Sequence, residues 1–113
     1  MIAHIRPAQL AEWFASAPEG ARPLVLDVRE VWEVQTAHLA PAEFDIAAIP
    51  MGEITSRLAE LDPARPVACL CHHGMRSLRV AGYLAQQGFD NVANITGGID
   101  AWSEEVDPAV PRY

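Results

Sequence analysis

Hydrophobic residues fall in two patterns along this chain, short continuous runs and longer stretches with helical spacing. Val92 to Ile95 is the last candidate strand, and Leu24-Val25-Leu26 and Val67 to Leu70 are continuous runs too short for buried helices. They predict strands covered on both faces, as in a parallel sheet. Ile2 to Ile5 is a candidate first strand. Pro7 suits the first turn of a helix on which Leu10, Trp13 and Phe14 recur at helical spacing. A short helical stretch covers Val31 to Gln35. Residues 51–61 predict a helix with Ile54, Leu58 and Leu61 on one face, and residues 77–87 predict another, stopped by Gly88. A last short helix follows Gly97-Gly98 and runs through Trp102. Pro18 to Pro23 is a breaker region. The segment HLAPAEFDIAAIP (38–50) has the weakest pattern, with a strand expected at Ala47 to Ile49, and the tail VDPAVPRY holds too many prolines for an element.

Strands alternating with helices predict an α/β fold, with a mostly parallel sheet, helices on both faces and right-handed crossovers. At 113 residues, with no internal repeat or linker, the expectation is one domain over residues 1–113. Ligands in such folds sit at the C-terminal ends of strands. Cys71 falls at one of those ends.

Charge narrows the choice of partner. Fifteen acidic residues against eight basic ones give a net charge of −7, which argues against nucleic acid and against an anionic membrane surface. No apolar segment reaches the roughly 18–20 residues of a membrane span. The opening MIAHIRPAQL lacks the charged-then-apolar order of a signal peptide, so a cytoplasmic location is expected. The two cysteines, Cys69 and Cys71, are one residue apart, and a disulfide there would close almost no loop. Both are expected to be thiols.

The candidate chemistry lies in CHHGMRS (71–77): strand end, Cys71, four residues, Arg76, then a helix. Amides of a tight loop, together with those left free in a first helical turn, can point at one centre and bind an anion. A thiolate is such an anion, so this setting favours the nucleophilic form of Cys71. Gly74 supplies the freedom for a tight curl, and Arg76 either adds positive charge near the bound anion or braces the loop wall. The competing reading makes Cys71 a small buried hydrophobe. Cys69, inside the strand run, takes that reading, with a dithiol role beside Cys71 as its alternative. A zinc site from Cys69, Cys71, His72 and His73 is disfavoured, because four ligands crowd into five consecutive residues. The histidines are expected at the pocket mouth, where partial positive charge favours anions. Asp27, Arg29, Glu30 and Glu33 follow another strand end, either supporting the loop or forming an ion-pair network of their own.

With these residues in view, the chain resembles the single-domain rhodaneses, a family of sulfurtransferases. The matching pieces are LVLDVREVWE (24–33), AHL (37–39), IPMGEI (49–54), CHHGMRS (71–77), GYLAQQGFDNVANITGGIDAW (82–102) and VDPAVPRY (106–113), in family order. One departure is HLAPAEFDIAAIP, longer than the family's usual segment. The resemblance implies a rhodanese-like fold with a central five-stranded sheet and a cysteine that carries sulfur as a persulfide. Cys71 then takes the nucleophile's place, and His72, His73, Gly74, Met75, Arg76 and Ser77 form the anion-binding loop. His38 matches a family position and is expected to be structural; Phe89 and Trp102 are expected in the core. No cofactor or metal is implied. The partners implied are a small sulfur donor, thiosulfate or a persulfide, and a thiol or cyanide acceptor, with an acceptor protein as an extension. Two alternatives stand beside this. Cysteine phosphatases or arsenate reductases of the same architecture have a loop one residue longer, and a non-catalytic rhodanese-like module would bind or regulate only.

Overall fold

A computed structural model describes residues 2–17, 20, 22–40 and 42–113. Among them five strands form one sheet: β1 (Ala3–Ile5), β2 (Leu24–Asp27), β3 (Asp45–Ala48), β4 (Val67–Leu70) and β5 (Val92–Ile95). Their order is β1-β5-β4-β2-β3, and every neighbouring pair is parallel. The α-helices are α1 (Leu10–Ser16), α2 (Val31–Thr36), α3 (Met75–Gln86) and α4 (Gly98–Glu105). The expected α/β architecture is therefore present, and β4, paired on both sides, is its central strand.

Alternation along the strands sorts the core into two layers. Leu24, Leu26, Val67, Cys69 and Val92 pack with Val80, Ala81 and Leu84 of α3. Val25, Ala68, Leu70, Ala93 and Ile95 face the other way, against Leu10 of α1 and Ile99 and Trp102 of α4. Phe89 and Trp102 are buried, as expected of core residues. Cys71 has the parity of Cys69 and joins the α3 layer. One residue beyond β4, it is delivered beneath the start of the following helix.

Four boundaries differ from the sequence expectation. The third strand lies at Asp45–Ala48, not Ala47–Ile49. It is a half-exposed edge strand without an apolar run, and its register comes from pairing Leu24 with Asp45 through Asp27 with Ala48. Residues 51–61 form two 3-10 turns, Met51–Glu53 and Leu58–Glu60, in place of one helix. Gly52, Thr55 and Ser56 are weak helix formers, and the Ser56 hydroxyl donates to the Glu53 carbonyl at 3.1 Å, competing with the backbone. The apolar face survives there, with Ile54 and Leu61 buried and Leu58 packed against them. Helix α3 begins at Met75, two residues early, and α4 extends to Glu105. The Pro18–Pro23 breaker lies partly outside the described residues. No helix among the described residues is long and apolar enough to cross a membrane.

Candidate active site

Cys71 is 1% exposed, with its sulfur at the point where β4 hands over to α3. The Gly74 amide donates to Sγ at 3.0 Å, and the Ser77 hydroxyl lies 3.2 Å from the same sulfur. Ser77 donates to Asn94 Oδ1 at 2.5 Å, and Asn94 Nδ2 donates to the Gly74 carbonyl at 3.1 Å. These contacts close a ring through sulfur, serine, asparagine and loop backbone, all buried. Ser77 has one hydroxyl proton for two acceptors. With a thiol at Cys71 that proton stays on Asn94 and the thiol can donate to the serine oxygen; with a thiolate it can turn to the sulfur. The ring therefore accommodates both protonation states of the sulfur.

The loop is bent by its glycines and held from α4. Gly74 has φ 104°, a left-handed value that L side chains rarely adopt. The Cys71 carbonyl accepts from the Ile99 amide at 2.8 Å and the His72 carbonyl from the Asp100 amide at 3.2 Å. Amides of the first turn of α4, without partners inside their own helix, thus take up two loop carbonyls. That approach leaves no room for a side chain at Gly98, where a Cβ would stand 2.4 Å from both carbonyl oxygens. With its carbonyls engaged on that side, the loop has amides to offer the sulfur.

Met75 and Arg76 belong to the first turn of α3, not to the loop before it. Met75 is 72% exposed. Arg76 makes a two-pronged pair with Glu33, at 2.6 and 2.7 Å. That pair, more than the smaller attraction of a Cys71 thiolate, holds the guanidinium in its charged form. Of the two roles expected for Arg76, bracing has the direct contacts. Glu33 also accepts from the Glu30 amide at 2.9 Å and from the Tyr113 hydroxyl at 2.8 Å. The Arg76 bonds outweigh burial and lower the Glu33 carboxyl to about 2. Behind it, buried Arg29 grips Asp27 at 2.9 and 2.7 Å and donates to the Glu33 and Ala37 carbonyls and to Tyr113. Both readings of the 27–33 cluster are realised together, since its ion-pair network reaches the loop through Glu33.

His72 lies between Tyr113 and His73, each ring 3.9 Å away. Burial, then the neighbouring His73, pushes its pKa below the ordinary value. Burial thus works against the positive charge expected of His72. His73 is exposed. Cys69 is fully buried in β4, and burial pushes its thiol pKa far up. Among the described residues no group of three or more His, Cys, Asp or Glu gathers as metal ligands would. His38 is exposed.

Asn94 was not expected at this site. Its signal was a lone amide in the apolar run VANI, at the alternation that faces α3. Such a buried amide must find partners. Tyr113 had no comparable signal, because its tail has no periodicity.

Comparison with known proteins matches residues 10–105 to the Rhodanese-like domain model. The putative sulfurtransferase YtwF of Bacillus subtilis is 38% identical over 84 residues, covering 74% of this chain and 77% of that protein. The thiosulfate sulfurtransferase GlpE of Pseudoalteromonas translucida is 30% identical over 89 residues, covering 79% and 81%. Other relatives are longer, and the chain spans only 22% to 43% of the length of three of them. Among solved structures, a rhodanese-related protein from Thermoplasma volcanium superposes with TM-score 0.73 at 31% identity, covering 98% of this chain and 99% of that one. The fold, the strand-to-helix loop and these likenesses agree: the chain belongs to the rhodanese-like domain family.

Proposed function

We propose that this chain is a sulfurtransferase working through a persulfide on Cys71. The Cys71 thiolate attacks the outer sulfur of a donor such as thiosulfate. The donor's S–S bond breaks, sulfite leaves with the bonding pair, and the outer sulfur stays on Cys71 as a persulfide anion. A nucleophilic acceptor, cyanide or a thiolate, then attacks that outer sulfur and regenerates the Cys71 thiolate. No electrons enter or leave overall, so no redox cofactor is called for. The Gly74 amide, which faces the sulfur, and the free amides at the start of α3 stabilise the thiolate, the persulfide and the anionic donor without rearranging, as preorganised donors do. His72, His73, Gly74, Met75, Arg76 and Ser77 form the wall of that cradle, Arg76 by bracing it.

One observation carries the reading: Cys71 Sγ accepts from the Gly74 amide at 3.0 Å at the foot of α3, where the helix's own free amides begin. Two relatives named as sulfurtransferases support it. The test is incubation with thiosulfate followed by mass measurement of the intact protein, and then a cyanide-dependent turnover assay. Addition of one sulfur atom, mapped to Cys71 and lost in Cys71→Ser, is the expected result. Hydrolysis of a phosphate ester with no sulfur uptake would overturn the proposal in favour of phosphoryl chemistry. No uptake and no hydrolysis would leave a binding module.

A further inference from the structure

We propose that Tyr113 is a positioning residue for the Cys71 loop, its ring stacked on His72 and its hydroxyl joining the ion pairs that brace Arg76; this rests on the sulfur-transfer reading above. Tyr113 lies outside the residues matched to the family model, which end at 105. Its ring lies 3.9 Å from His72 at an interplanar angle of 8°, and Trp32 packs edge-on against it at 5.9 Å. His72 directly follows the nucleophile, so a fixed His72 ring constrains the first bend of the loop.

The hydroxyl acts on the other end of the loop. It donates to Glu33 Oε1 at 2.8 Å, the oxygen that also accepts from Arg76 Nη2 at 2.7 Å. It accepts from Arg29 Nη1 at 3.1 Å. One phenol thus couples the buried Asp27–Arg29 pair to the Glu33–Arg76 pair, two negative and two positive charges in all. Tyr113 thereby touches His72 at one end of the loop and reaches Arg76 at the other through Glu33.

The tail that carries Tyr113 is itself fastened. Val110 is buried and its carbonyl accepts from the Ser103 hydroxyl at 2.8 Å, while Arg112 holds Asp100 at 3.0 and 3.1 Å. Asp100 supplies the amide that holds the His72 carbonyl, so tail and loop share an anchor on α4. Residues 106–113 form no regular element, yet they end against the site.

The test compares Tyr113→Phe and Tyr113→Leu with the unmodified chain, by thiosulfate–cyanide kinetics and by NMR titration of the histidines. The groups that bear on His72 are His73, Asp100, Glu33 and Tyr113 itself. Tyr113→Leu removes ring and hydroxyl. It should lower kcat about tenfold or more and move the His72 midpoint up towards the ordinary value as its cover is lost. Tyr113→Phe keeps the ring, so the His72 midpoint should stay while kcat falls about threefold, the equivalent of one modest hydrogen bond. A folded Tyr113→Leu protein with kcat within twofold of the unmodified chain and an unmoved His72 midpoint would overturn the proposal. Should that variant fail to fold, an unchanged kcat in Tyr113→Phe overturns it instead. If the unmodified chain takes up no sulfur, the sulfur-transfer reading fails alone, and the His72 midpoint in Tyr113→Leu still decides whether Tyr113 holds the loop.

Discussion

Glu33→Gln should cost stability at neutral pH and nothing in strong acid. The side chain of Glu33 is 5% exposed and accepts two hydrogen bonds from Arg76, one from Tyr113 and one from the Glu30 amide. Those from Arg76 are the largest influence and bring the carboxyl from 4.5 to about 2. A carboxyl whose folded value lies below its unfolded value stabilises the fold fully above the unfolded value. That contribution is lost as pH falls from 4.5 through about 2. At about 1.4 kcal/mol per pH unit the shift corresponds to about 3 kcal/mol. Arg76 is 31% exposed, so water takes over part of its solvation in the variant. The amide oxygen of glutamine also still accepts a bond. The expected loss at neutral pH is therefore about 2 kcal/mol.

Urea unfolding of both proteins across the acid range measures this. The stability gap should be about 2 kcal/mol near pH 7, shrink below about pH 4.5, and close near pH 2. Asp45, Glu60 and Asp100 are also held low by arginine partners, so the acid slope of either protein alone is a sum. The difference between the two isolates Glu33. A gap that stays constant down to pH 2 would refute the electrostatic account and point to packing. No gap at neutral pH would mean that the Arg76 pair contributes nothing to stability.

Gly98→Ala should lose about 3 kcal/mol or more, or fail to fold, because the new Cβ meets two backbone carbonyls at 2.4 Å and the residue sits at φ 60°; thermal unfolding is the assay. Asn94→Ala takes one of two partners from the Ser77 hydroxyl and from the Gly74 carbonyl, which keep the Cys71 sulfur and the Leu78 amide, a loss of about 1–3 kcal/mol in urea unfolding, and should slow sulfur uptake as the ring at Cys71 opens. Cys69→Ala should keep sulfur uptake and lose about 1 kcal/mol, since its thiol is fully buried and its pKa is pushed far up. A folded Cys69→Ala protein that loads sulfur but does not turn over would show that the two thiols work as a pair. Because Cys71 is 1% exposed, iodoacetamide should label it faster than a bulky aromatic disulfide, as followed by intact mass.

The parts of this fold that the sequence makes visible are those where local pattern and final burial coincide. Val67 to Leu70 is buried on both faces, so every residue of β4 is apolar and the strand can be read directly. The step from β4 to Cys71, Gly74 and a helix is equally local, and the main loop was legible for that reason. β3 was displaced by two residues because an edge strand takes its register from a neighbour rather than from its own side chains. The stretch 51–61 shows the reverse case, a helical apolar face kept while weak helix formers break the helix itself. The contacts to Asn94, Gly98 and Tyr113 join segments distant in the chain, and no local pattern announces such partners.

The strand order has a consequence in time as well as in space. Among the described residues β1 pairs only with β5, Ala3 with Ala93, and the central β4 is fourth to appear. During synthesis β2 and β3 can meet early, but their sheet lacks its middle until residue 70 has emerged. The first strand waits with an open edge until residues 92–95 arrive, a long loop to close before its contacts repay the entropy. Such a chain should fold slowly for its size and late on the ribosome, with Cys71 uncaged until α4 supplies the amides that shape its loop. A nascent chain stalled before residue 98 would carry the Cys71 thiol without the structure that restrains it.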